Sequence, residues 1–266
     1  MGGGDDLGDD DQYLNLTTLD SDDNDDTQQQ SSSKKRKHDN EVGDGNKTEK
    51  KKTKKKGKQM FRDVAIQSCE EQASYLWECY SDALTGKLKR SDKRLPLDQI
   101  GPKFTEKSIV KFEADDDHND DRNIAPNFKS ILSMKRLKKW KTTKSPMVII
   151  ICVSARRAMS VLKGLAPLKC RCAKLFSKHM SVKDQKNMLE NSTYGVAAGT
   201  PNRLLKLCSE GALDLSSTEL VVLDGQEIHK TMNVCTLYDT APDLMEFIRT
   251  YVQPGITKGN TKLCMH

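Results

Sequence analysis

Met147-Val148-Ile149-Ile150-Ile151-Cys152-Val153 runs directly into Ser154-Ala155-Arg156-Arg157-Ala158. Seven apolar residues rich in Val and Ile are too few for a buried helix and suit a strand covered on both faces. The helix that follows places Ala158, Leu162 and Leu165 on one side. A buried strand feeding a helix in this way is the repeating unit of a parallel α/β sheet, with 147–153 as its central strand.

The chain downstream repeats the alternation. Residues 172–177 form a weaker strand, and Ser181-Val182-Lys183-Asp184 has capping-box form and opens a helix through about Leu189. Tyr194 to Gly199 is a strand of small residues; Thr200 caps the next helix with Pro201 at its first position, and Gly211 stops it. Leu220-Val221-Val222-Leu223 is another buried strand, and Leu263-Cys264-Met265 adds a last short one. Between them Leu244, Phe247, Ile248 and Tyr251 fall at i, i+3, i+4 and i+7, an amphipathic helix ended by Pro254-Gly255. Four or five strands with helices imply a three-layer, mostly parallel α/β sheet over residues 145–266, without internal repeats.

Residues 61–144 read as a helical extension. Val64, Ile66, Cys69, Ala73, Leu76, Trp77, Tyr80 and Leu84 predict a long amphipathic helix from Phe61 to about Gly86. Phe128, Ile131, Leu132, Leu137 and Trp140 predict a second, made strongly basic by Lys135, Arg136, Lys138, Lys139 and Lys141. RNA contact and plain solvation of that basic face both remain open. Between the helices, 115–121 is an acidic loop without the alternating ligands, central Gly and closing Glu of a calcium site.

Charge sets residues 1–60 apart. Residues 1–30 hold ten Asp and no Lys or Arg, residues 31–60 carry +8, and the rest of the chain carries another +8, for a net +6. Such blocks repel themselves and bury little, so a disordered tail is expected, acidic and then Lys-rich. The clusters Lys34, Lys35, Arg36, Lys37 and Lys50, Lys51, Lys52, Lys54, Lys55, Lys56 resemble a bipartite nuclear localisation signal and also suit phosphates. No run approaches the eighteen apolar residues of a membrane helix, and the acidic start is unlike a signal peptide. Eight cysteines lack any Cys-x-x-Cys pair and several sit in apolar runs, as reduced intracellular thiols do. Cys170 and Cys172 could share one strand face, but no second ligand pair stands at zinc spacing, so no metal is expected.

Ligands of such sheets bind where loops leave the carboxyl ends of the strands. Three segments lie there: 152–157, Thr200-Pro201-Asn202-Arg203, and Asp224-Gly225-Gln226-Glu227. Thr200 and Arg203 at a helix start could hold a phosphate, although a Thr cap followed by Pro also occurs in unrelated helices. Arg156 and Arg157 occupy a first helical turn, where each cation costs about 0.3–1 kcal/mol unless an anion is near. These four residues are the candidate RNA phosphate contacts. Asp224 is placed as a magnesium ligand would be, yet no Gly-x-x-x-x-Gly-Lys-Ser/Thr loop exists to hold nucleotide phosphates.

The order of the three segments resembles the first core domain of a DEAD-box RNA helicase, one RecA-like unit, with Gly225 replacing the second acid of its Asp-Glu-Ala-Asp motif. Together with Lys174-Leu175-Phe176-Ser177-Lys178-His179-Met180, they are similar to the Cms-one family, over roughly 145–266. That resemblance implies a degenerate helicase fold found with the U-three small nucleolar RNA in the early small-subunit pre-ribosome. Asn202 departs from the helicase pattern, which has Gly there, and His179 reads as structural.

The expectation is therefore a non-enzymatic factor of small-subunit ribosome biogenesis in the nucleus, within it the nucleolus. Its partners would be pre-ribosomal RNA or small-subunit pre-ribosome proteins, with no membrane and no cofactor; the oligomeric state stays open. Two alternatives stand beside it: an ATP-dependent helicase fragment completed by a partner, and a protein–protein adaptor.

Overall fold

Val148–Ile151 (β1) is the middle of five parallel strands, with Cys172–Leu175 (β2), Val196–Gly199 (β3), Leu220–Leu223 (β4) and Lys262–Met265 (β5) in the order β2-β3-β1-β4-β5. This is the parallel α/β class expected, seen in a computed structural model that describes residues 65–87, 94–112, 124–178, 180–228 and 232–266. Residues 1–60 with both basic clusters, the 115–121 loop and His179 lie outside the described residues.

The strands align in register. Ile149 pairs with Ala197 on one side and Val221 on the other, and every residue of β1, β3 and β4 is buried. Beyond β5 a single parallel bridge joins Ile109 to Leu263, with the Val110 N–H donating to the Leu263 carbonyl at 2.8 Å.

Strand side chains alternate between faces, so the sheet generates two cores. Ile149, Ile151, Val221 and Leu223 face Cys69–Leu84 (α1), Val182–Asn191 (α5), Pro201–Ser209 (α6) and Ala241–Phe247 (α7). Val148, Ile150 and Val222 face Ile124–Ile131 (α2), Met134–Lys138 (α3) and Ala155–Gly164 (α4). The helices of residues 69–138 thus share both cores with the sheet.

Four local expectations need correction. The first predicted helix is interrupted: Ala65 and Ile66 are helical, Gln67 and Ser68 are not, and a capping box of Ser68 with Glu71 opens Cys69–Leu84, while 61–64 lie outside the described residues. The basic segment is two helices, not one: α2 ends at Ile131 and Ser133 caps α3 by position, leaving Trp140 outside, where its Nε1–H donates to the Ser145 carbonyl. Thr200 sits at the N-cap of α6 with no side-chain capping bond. Pro254-Gly255 does not end the last long helix. Ile248–Val252 winds as a π-helix and the chain continues through Gln253–Thr257 (α8). Within the widened turn Gln253 N–H bonds to the Ile248 carbonyl, five residues back, so the Pro ring enters where the α register has already been broken.

Candidate functional site

The order β3-β1-β4 brings the three strand-end segments side by side. Ser154 ends the loop after β1, and its Oγ accepts the Arg157 N–H at 3.2 Å, which caps α4. That cap turns the Arg157 side chain toward β4. Its Nε donates to Asp224 Oδ2 at 2.8 Å and its Nη2 to Oδ1 at 2.7 Å. Asp224 is 1% exposed and Arg157 11%, so the pair is largely removed from water. A carboxylate in that setting needs a countercharge and its lone pairs filled, and a guanidinium fork supplies both.

Both carboxylate oxygens of Asp224 therefore accept from the chain's own cation. The Asp224 N–H donates to the Ile151 carbonyl at 3.0 Å. The adjacent Gly225 N–H bonds to the His266 carbonyl at 2.6 Å, and His266 N–H returns to Leu223. These bonds hold the end of β4 between β1 and β5. Glu227 is half-buried, and its Oε1 is buried without a hydrogen-bond partner.

The other candidates separate into anchors and free groups. Arg203 Nη1 donates to the Met180 carbonyl at 3.1 Å and to Gln185 Oε1 at 3.0 Å, tying α6 to the start of α5. Asn202 Nδ2 donates to Asp243 Oδ2 at 3.0 Å, tying α6 to α7. Arg156 is exposed and has no ion pair with a described residue, and the Thr200 hydroxyl likewise has no described partner. Sequence reasoning missed Asp224, Gln185 and Asp243 as partners. No local signal marks them, since each lies on a different element from the residue it holds.

Two features lie away from the strand ends. An open groove of about 580 Å³ is lined by Ile131, Leu132, Arg136, Trp140, Glu219 and Lys262, among others. The Cys170 and Cys172 sulfurs stand 3.8 Å apart, and both cysteines are free. Their hydrogen bond pulls the Cys170 thiol below its ordinary range, helped by Lys138; the same bond, together with burial, pushes the Cys172 thiol up. Among the described residues no three His, Cys, Asp or Glu side chains gather as metal ligands, and no helix is long and apolar enough to cross a membrane.

A family model described as CMS1, U3-containing 90S pre-ribosomal complex subunit, matches residues 17–266. The chain belongs to the CMS1 family. Relatives include Protein CMSS1 of Xenopus laevis, 32% identical over 106 residues that make up 38% of each chain. Protein CMSS1 of Danio rerio is 33% identical over 132 residues, 48% of this chain and 45% of that one. Protein CMSS1 of Homo sapiens is 29% identical over 119 residues, 42% and 43%. The matches thus span less than half the length of these curated CMS1 relatives. Among solved structures, the Pyrococcus furiosus Hef helicase domain is similar at a TM-score of 0.31 and 16% identity, over 76% of this chain and 37% of that one.

Proposed function

We propose that this CMS1-family chain is a non-enzymatic factor of small ribosomal subunit biogenesis that works in the nucleolus and binds pre-ribosomal RNA or particles. Membership of a family of 90S pre-ribosomal complex subunits supports the setting. The observation that carries the non-enzymatic part is the two-point bond of Arg157 to Asp224, which neutralises the carboxylate that a phosphoryl-transfer site of this layout would give to magnesium. The chain also lacks the Gly-rich loop and Lys that hold nucleotide phosphates.

At the strand ends, Arg156 and the Thr200 hydroxyl are the groups placed to meet an RNA phosphate. Arg157 and Arg203 serve the same surface from beneath, by holding the starts of α4 and α6. The adaptor reading draws on a different observation: Ile228 and Tyr238, in the loops after β4, are 46% and 43% exposed. Crosslinking in cells with ultraviolet light, followed by sedimentation, separates the two. RNA adducts on the chain in pre-ribosomal fractions are the expected result. Sedimentation with particles but no RNA adduct would favour the adaptor, and a chain found only in the free fractions would refute both.

A further inference from the structure

The two helical layers that enclose the sheet differ in charge. Helices α2, α3 and α4 together contain seven Lys and Arg and no Asp or Glu. The helices of the opposite layer, α1, α5, α6 and α7, hold eight Asp and Glu against four Lys and Arg (Lys183, Lys186, Arg203 and Lys206), with the acidic excess on α1 and α7. The chain itself shows the origin: residues 122–183 hold sixteen Lys and Arg without one Asp or Glu.

Two cations of the basic layer are neutralised from outside it, Arg136 by Glu219 and Arg157 by Asp224. Lys129, Lys135, Lys138, Lys139, Arg156 and Lys163 are exposed and form no ion pair with a described residue. Like charges held on one side of a folded domain repel one another, and a polyanion laid across them relieves that repulsion.

The chemistry of the layer narrows the polyanion. Exposed large apolar side chains occur at Ile66, Leu97, Ile228 and Tyr238, and none lies on α2, α3 or α4; Ile131, Leu132 and Trp140 are half-buried in the groove beside Arg136. A lipid surface would be expected to engage an apolar wedge, and a specific protein interface an apolar or aromatic centre. Separated lysine charges on a polar surface match evenly spaced phosphates, which need neither. We propose that the outer surface of α2, α3 and α4 binds the phosphate backbone of RNA without regard to base sequence. This rests on the RNA-associated reading above and names the surface that performs it.

The test uses the full chain and single-stranded uridine and adenosine oligomers over a series of salt concentrations. One variant removes four charges from the layer (Lys135→Gln, Lys138→Gln, Lys139→Gln, Lys163→Gln). A control removes four from elsewhere (Lys87→Gln, Lys183→Gln, Lys206→Gln, Lys258→Gln). The layer variant should bind both oligomers roughly tenfold more weakly near physiological salt, with a plot of log K against log salt flatter by about 3. The control should change less than about twofold. Equal losses in both variants would reduce the effect to net charge and overturn the proposal. So would an unaltered slope in the layer variant, which would move binding to the tail. Polyglutamate bound as tightly as RNA would reassign the surface to an acidic protein segment. If the unaltered chain binds no RNA even at low salt, it is the RNA-associated reading itself that fails.

Discussion

Arg157 and Asp224, separated by 67 residues in the chain, meet as a two-point ion pair at the carboxyl end of the sheet. The contact exists because β1 and β4 are neighbours, so the first turn of α4 overhangs the residue that follows β4. Breaking one half should be costly. Arg157→Met leaves a buried carboxylate without a countercharge and should lower unfolding free energy in urea by about 3–5 kcal/mol. Adding Asp224→Asn should restore much of that loss. A single-variant loss under about 1 kcal/mol would place the pair with exposed ones, which contribute little.

Nucleotide should not bind. Calorimetry with magnesium and ATP at millimolar concentration should give no saturable heat, with or without RNA. Gly225→Glu should not create hydrolysis, because an added acid does nothing to hold the phosphates in place. Saturable heat with the unaltered chain would overturn the non-enzymatic reading.

Gly195 lets α3 reach the sheet. A Cβ there would lie 2.6 Å from the Leu137 carbonyl oxygen and 3.2 Å from Leu137 Cδ1. Because the obstacle is backbone, Gly195→Ala should shift the C-terminal end of α3 and cost about 1–3 kcal/mol. Urea unfolding measures the loss; an unchanged midpoint would show that α3 yields freely.

Cys170 should be the first cysteine alkylated. Its thiol is held below the ordinary range chiefly by the hydrogen bond from Cys172, so its thiolate is present at lower pH than that of a free cysteine. Cys172→Ala removes that bond and should move the pH profile of Cys170 alkylation upward, read by mass spectrometry of iodoacetamide adducts. An unmoved profile would show that Cys172 does not set it.

The tail should direct the chain to the nucleus. Replacing Lys34, Lys35, Arg36, Lys37, Lys50, Lys51, Lys52, Lys54, Lys55 and Lys56 by Ala removes its two dense basic clusters. A fluorescent fusion of that variant should spread into the cytoplasm, and unchanged nucleolar signal would refute the targeting role.

Strands β1, β3 and β4 were legible because each is an apolar run bounded by turn or cap residues, and burial on both faces leaves no alternation to misread. The Ser181 capping box was legible for a similar reason, since its signal is local; Asp184 N–H and Ser181 Oγ meet at 3.1 Å. Pro254 was misread because punctuation rules assume an α register, whereas the π turn before it depends on how Phe247 and Val252 pack in the core. The partners of Arg157, Arg203 and Asn202 were hidden for a topological reason. Strand order, not sequence proximity, decides which loops touch. The acid-free run of residues 122–183 was open to inspection, but its one-sidedness was not, since that requires knowing that α2, α3 and α4 cover the same face.

A domain with only cations on the helices of one layer and an excess of acids over bases on those of the other has a dipole directed through its sheet. Near a polyanion it feels a torque as well as an attraction, and the torque acts once the two come within a Debye length, about 8 Å at physiological ionic strength. The basic layer is therefore turned toward the partner before any side chain touches it. Encounters begin with the molecule already facing the right way, and added salt should slow association by removing that alignment along with the pull.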